Sequence, residues 1–249
     1  MKDQYDDFAA NYDWLFSDEA LTGEPQVEGL KPLLAELPPD ASVLDCACGT
    51  GVTAAALARR GYHVAGSDAS GRMVARARAR MAAEGLDVPL RHCPWQRLPE
   101  EFDERFDLAV CCGNAVGHCR DEADMIQSLR AIHGVLAPGG RLVLDTRNWE
   151  KLLADRQRYK CWGLRERDGA RCVPLCVWTF PESAGAPAVV DVVMPIERDG
   201  EVQLRSYPIT YHPFGHEQLL ARLAAAGFVD VESEFAPQQR SYMVICRKG

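Results

Sequence analysis

The 249 residues suit one α/β domain carrying an insertion, and an apolar share of 47% with a charged share of 26% is that of an ordinary globular chain. A formal charge of −8 and a pI near 5.3 give no support to a polyanionic partner such as nucleic acid. No apolar run approaches the roughly 20 residues of a membrane span, and the opening MKDQYDDFAANYDW has neither the basic start nor the apolar stretch of a secretory leader.

Residues 1–40 read as a polar helical lid whose apolar anchors are Tyr5, Phe8, Tyr12, Trp14, Leu15 and Phe16. Two prolines in LPPD end it, because neither continues a helix. SVLDCA is a short buried strand running into a glycine turn, and TAAALARRG is a helix closed by Gly61. YHVAGSD is a second strand ending in Asp68, and SGRMVARARARMAAEG is a strong helix former ended by Gly85. Arg72, Arg76, Arg78 and Arg80 make the basic cluster of this helix. They read as a solvated face, with Arg76 and Arg80 spaced to pair with Glu84.

PLRHC and FDLAVCC supply strands three and four. In DEADMIQSLRAIHGVLAPGG, residues Met125, Ile126, Leu129, Ile132 and Leu136 fall on one helical stripe before a Pro-Gly-Gly stop, and RLVLDT is a fifth strand. After Trp149 the pattern alternates: CVPLCVWTF, AVVDVVMPIE and EVQLRSYPITYH read as antiparallel strands, the last two joined by an Asp-Gly turn at 199–200. GHEQLLARLAAAGF restores a helix, and VDVESE and SYMVICRK form a closing strand pair.

The expected fold is α/β: a Rossmann-like seven-stranded sheet, mostly parallel with an antiparallel last strand, helices on both faces, and a small antiparallel β cap. The expected division is 1–40 lid, 41–153 core, 154–212 substrate cap and 213–249 closing helix and strand pair. The ten cysteines include no Cys-x-x-Cys and no zinc-finger spacing. They read as reduced, mostly buried thiols of a cytoplasmic protein, with no metal site.

Gly49, Gly51 and Ala54 satisfy the G-x-G-x-x-G/A pattern of a dinucleotide turn, with an acid, Asp68, at nearly the spacing that turn requires. Asp45 argues otherwise. A carboxylate four residues before Gly49 would repel a pyrophosphate but can help position an ammonium, or simply tie down the loop through backbone N–H groups. VLDCACGTG, Asp68, FDLAVCCGN and LAPGGRLVLD stand in register, and together they resemble the motifs of the class I S-adenosylmethionine-dependent methyltransferases. CCGNAVGH (111–118), LDTRNWEKLL (144–153) and LRSYPITYH (204–212) further resemble the glycine N-methyltransferase branch and its sarcosine-methylating relatives, with the likeness concentrated in residues 40–153.

That resemblance implies an S-adenosylmethionine cofactor whose ribose hydroxyls are accepted by Asp68. Tyr12, Trp14, Asp45, Ala47, Gly49, Gly51, Ala69, Met73, Pro94, Trp95, Cys112, Gly113 and His118 are the other expected cofactor contacts. It also implies that Arg147 pairs with a substrate carboxylate and Asn114 with the amino acid head, beside Tyr207 and Tyr211. The expected reaction is direct in-line methyl transfer to the nitrogen of a small amino acid, with no general base required of the protein. Another small biosynthetic metabolite is the serious alternative, followed distantly by a non-catalytic S-adenosylmethionine-binding domain. The expected partner is a small molecule, with neither nucleic acid nor membrane; a homo-oligomer is left open. Two departures from the branch stand out: no arginine lies in the N-terminal segment, so backbone N–H groups or Lys31 would face the cofactor carboxylate, and Pro94 offers no N–H.

Overall fold

The computed structural model describes residues 3–183 and 185–249. After a 3-10 turn over Tyr12–Leu15 the chain forms α1 (Asp18–Leu21), α2 (Glu24–Leu34), β1 (Ser42–Asp45), α3 (Val52–Arg59), β2 (His63–Asp68) and α4 (Gly71–Glu84). β3 (Leu90–His92), α5 (Leu98–Glu101), β4 (Phe106–Cys111), α6 (Glu122–Val135) and β5 (Leu136–Arg147) complete the first five strands. There follow α7 (Trp149–Asp155), β6 (Tyr159–Cys161), β7 (Arg165–Arg167), β8 (Ala170–Cys172), β9 (Leu175–Thr179), β10 (Ala188–Arg198) and β11 (Glu201–Tyr211). The chain closes with α8 (His216–Ala225), β12 (Phe228–Ser233) and β13 (Ser241–Lys248).

The main sheet has the order β12-β13-β5-β4-β1-β2-β3. β1 to β5 run parallel, and β13 is antiparallel to both β5 and β12. Alternate side chains of each strand feed two separate cores. Leu44, Ala109, Leu142 and Val244 pack on one face, and Val43, Leu108, Val110 and Val143 on the other, where α2, α3 and α4 lie. Strands buried on both sides need apolar residues at every position, which is why the sequence shows short continuous apolar runs there. α4 begins where the Ser70 hydroxyl accepts the Met73 N–H at 3.1 Å, and it ends on the left-handed Gly85.

Two features depart from the sequence reading. Pro138-Gly139-Gly140 does not simply stop a helix: α6 ends at Val135 and the segment already runs as the start of β5. The ladder to β4 shifts register between Phe106 and Leu108, which absorbs the irregularity. Arg76 and Arg80 do not pair with Glu84; they reach Asp13 at 3.0 and 3.2 Å, and Arg59 takes Glu84 instead. Burial decides this: the Asp13 side chain is only 17% exposed, so two arginines and the Thr50 hydroxyl converge on it, the hydroxyl at 2.7 Å.

The cap sheet runs β6-β9-β10-β8-β7, with β11 on the other edge of β10. Asp199 and Gly200, both at positive φ, make the hairpin turn between β10 and β11. Arg165 and Arg167 of β7 donate to the Phe16 carbonyl, and Arg167 also to that of Asp13. The N-terminal segment is therefore clamped between α4 and the cap. Eight of the ten cysteines are buried; Cys112 is half-buried and Cys161 exposed. Among the described residues no helix is long and apolar enough to cross a membrane.

Candidate active site

The carboxyl ends of β1, β2 and β4 open onto a cavity of about 450 Å³, roofed by the N-terminal segment. Its floor is the glycine turn. Gly49 sits at φ +51° and its N–H donates to Asp68 Oδ2 at 2.9 Å, while the Ser70 N–H donates to Asp68 Oδ1 at 2.8 Å. Each Asp68 oxygen keeps a further lone pair, and Asp68 borders the cavity. Burial pushes its carboxyl up to about 6, against the pull of those two N–H groups. Asp45 is buried beneath the turn and accepts from the backbone N–H groups of Ala47 and Ala54. Burial above all, with the Asp68 charge adding to it, pushes its carboxyl up to about 7.

Gly51 faces the other way. At φ +81°, a Cβ there would lie 2.9 Å from Ala77 Cβ and 3.0 Å from Met81 Cε, so this glycine seats the turn on α4 and is not part of the cavity lining. Tyr12, Ala47, Gly49, Asp68, Ala69, Met73, Pro94, Trp95, Cys112, Gly113 and His118, all singled out in the sequence, do line it. Trp95 spends its indole N–H on the Cys46 carbonyl at 2.6 Å, leaving its ring as wall. Trp14 lies elsewhere, with the Arg167 guanidinium 5.5 Å from its ring centre. Lys31 is exposed and bound to Glu28, away from the cavity.

The cavity also takes Asp3, Gln4, Tyr5, Cys46, Gln96 and Asp124, which sequence reasoning missed as site residues. Tyr5 is the most informative. Its hydroxyl lies 2.9 Å from His118 Nε2 and 3.3 Å from the Tyr211 hydroxyl. His118 Nδ1 is 3.1 Å from the Thr210 carbonyl and 3.0 Å from Gln4 Nε2. Burial, reinforced by Arg147, lowers the His118 imidazole to about 4, so the ring is neutral at pH 7. The neutral ring has one donor and one acceptor, and either tautomer satisfies a contact on each side.

His118 stacks on Tyr211 at 4.4 Å, and Tyr211 packs in turn against Trp149 and Trp178; Asn114, Arg147, Tyr207 and Tyr211 are not part of the cavity lining. The Arg147 guanidinium sits 5.4 Å from the Trp178 ring centre and 5.8 Å from that of Tyr211. No carboxylate pairs with it among the described residues, and its Nε is buried without a hydrogen-bond partner. Asp145, the nearest candidate in sequence, accepts instead from the Asn114 N–H at 2.6 Å. Asn114, at φ +62°, accepts through Oδ1 from the Arg147 N–H at 2.9 Å and the Thr146 hydroxyl at 3.1 Å. Its Nδ2, like Trp149 Nε1, is a buried donor with no partner among the described residues. Gly117 makes room for the group: a Cβ there would meet Trp149 at 2.8 Å, Tyr211 at 3.1 Å and Asn114 Nδ2 at 3.2 Å. Tyr207 stands apart, stacked on Phe8 at 4.6 Å with its hydroxyl accepting from Asn11 at 2.7 Å.

Residues 43–140 match the family model described as a methyltransferase domain. That match, the sheet order and the glycine turn with its acid at the end of β2 make these residues a methyltransferase domain of the class I, S-adenosylmethionine-dependent kind. Within that class, the chain is 33% identical over 111 residues to a glycine/sarcosine N-methyltransferase of Aphanothece halophytica, covering 45% of this chain and 42% of the relative. It is 35% identical over 106 residues to a ubiquinone biosynthesis O-methyltransferase of Pseudomonas aeruginosa (strain UCBPP-PA14), covering 43% and 44%. The chain thus spans less than half the length of either relative. An S-adenosylmethionine-dependent methyltransferase from Clostridium acetobutylicum ATCC 824 superimposes with a TM-score of 0.76 over 99% of this chain and 100% of the other, at 17% identity. That last likeness is one of fold.

Proposed function

We propose that this protein transfers the methyl group of S-adenosylmethionine to the nitrogen of a small amino acid of the glycine or sarcosine kind, by direct in-line displacement. The observation that carries the reading is Arg147: a guanidinium with no ionic partner among the described residues, held between Trp178 and Tyr211 beside the unpartnered Asn114 Nδ2. Buried donors left unsatisfied cost stability, so a ligand rich in acceptor oxygens is what this group of donors suits. A carboxylate meets a planar guanidinium with two parallel bonds, which fixes its orientation as well as its position.

S-adenosylmethionine, when bound, supplies an electrophilic methyl carbon on a positively charged sulfur. Asp68 would accept its ribose hydroxyls, Trp95 and Cys112 would flank the base, and the rings of Tyr5 and Tyr12 would face the cation. The protein's own contribution is orientation and exclusion of water, with the N-terminal segment closing over the cavity. The neutral His118 holds the Tyr5 hydroxyl and is given no proton to remove.

A second reading, a larger amine or a hydroxyl acceptor, is favoured by the aromatic walls of Trp149, Trp178, Phe180 and Tyr211, which offer more apolar surface than glycine requires. Incubation with methyl-labelled S-adenosylmethionine and glycine, sarcosine, dimethylglycine, larger amino acids and amines separates the two. Label in sarcosine or dimethylglycine supports the first reading. Label only in an acceptor without a carboxylate removes it.

A further inference from the structure

Outside the active site, the cap ends in an open strand edge. β11 pairs with β10 on one side and with no strand among the described residues on the other. Residues 201–206 are exposed throughout, including Val202 at 63% and Leu204 at 69%. An open apolar edge of this length invites pairing with another strand.

The hairpin fixes which groups this edge offers. Arg198 pairs with Glu201 across the two-residue turn, so the odd-numbered residues of β11 bond to β10 and the even-numbered ones point their N–H and C=O outward. Two observations agree with this parity: Pro208, which has no N–H, is even-numbered, and the Thr210 N–H reaches out to Gln4 Oε1 at 2.9 Å. Gln4 thus covers the far end of the edge, leaving Val202, Leu204 and Ser206 open.

The open stretch reads Glu201-Val202-Gln203-Leu204-Arg205 and is its own complement. Laid antiparallel on a second copy about Gln203, Val202 faces Leu204 as an outward-bonding pair, and Glu201 faces Arg205 twice. Neither Glu201 nor Arg205 has an ion-pair partner among the described residues; Arg205 reaches only Gln203, at 3.2 Å. We propose that two copies of this chain join through β11 about a twofold axis at Gln203, making one continuous sheet of the two caps. Such a twofold contact is isologous, so each side contributes the same residues.

Sedimentation velocity over a range of concentrations tests this, with circular dichroism as a check on folding. The protein is expected to dimerise, and either Glu201→Arg or Arg205→Glu alone is expected to weaken the dimer by roughly tenfold, as like charges then face each other. An equimolar mixture of the two single variants is expected to regain a dimer, because each restores the other's pairs, and so is the double exchange. A monomer at the highest soluble concentration would overturn the proposal. So would a dimer indifferent to the single reversals, or single variants that weaken it and do not rescue each other when mixed.

Discussion

The glycine turn and the proposed acceptor side of this molecule are built on opposite rules. Around the glycine turn the carboxylates are met by backbone N–H groups: Asp45 by Ala47 and Ala54, Asp68 by Gly49 and Ser70. Across the Tyr5–His118–Tyr211 wall, three buried donors on Arg147, Asn114 and Trp149 are left without partners among the described residues. A turn satisfied from within is rigid before its ligand arrives. In the proposed function the spare donors give selectivity, because only a ligand that satisfies them offsets the cost of their burial.

Arg147→Ala probes the acceptor side with the largest expected effect. Loss of a bidentate charged contact is worth about 3 kcal/mol, a drop of roughly a hundredfold in kcat/KM for a carboxylate-bearing acceptor. Calorimetry is expected to show unchanged S-adenosylmethionine affinity; an equal loss of both would erase the division between the two sides. Asp68→Asn acts on the other side, weakening S-adenosylmethionine binding by about 1.5–3 kcal/mol, roughly ten- to a hundredfold in Kd.

The Asp68 carboxyl, pushed up to about 6, carries a proton below that pH and then accepts fewer hydroxyl bonds. Cofactor affinity is therefore expected to be flat above pH 7 and to fall as the pH drops through 6, with this dependence reduced in Asp68→Asn. A profile that is the same in both proteins would assign the titration elsewhere, Asp45 being the neighbour pushed up to about 7.

Gly117→Ala crowds the proposed acceptor side, its Cβ meeting Trp149, Tyr211 and Asn114. Overpacking of about 1–3 kcal/mol is expected to lower Tm by about 2–4 °C per kcal/mol and to raise KM for the acceptor more than for the cofactor. Asp13→Asn releases Arg76 and Arg80 from the N-terminal segment, at about 1 kcal/mol. Limited proteolysis before α1 is expected to quicken; no change would show that the cap arginines alone hold the segment.

Much of the core was readable in advance because its chemistry is local. Strand, glycine turn, helix and acid follow one another within Val43–Asp68, and each is specified by backbone needs that particular residue types meet: left-handed φ at Gly49 and Gly51, a carboxylate at a strand end. The start of β5 misled for the same reason, since Pro138-Gly139-Gly140 has the local form of a stop and only the ladder from β4 makes it strand.

What the sequence by itself determined, then, is the succession of strands and helices along the chain and the glycine turn with its acid at the ends of β1 and β2. Only the tertiary structure decided that Tyr5 borders the cavity, that Asp13 draws Arg76 and Arg80, and that Trp178 and Tyr211 enclose Arg147. The reason is separation along the chain: Tyr5 meets His118 across 113 positions, and no periodicity or short motif extends that far. Such contacts exist because two faces of one fold close on each other, which a reading along the chain has no means to see.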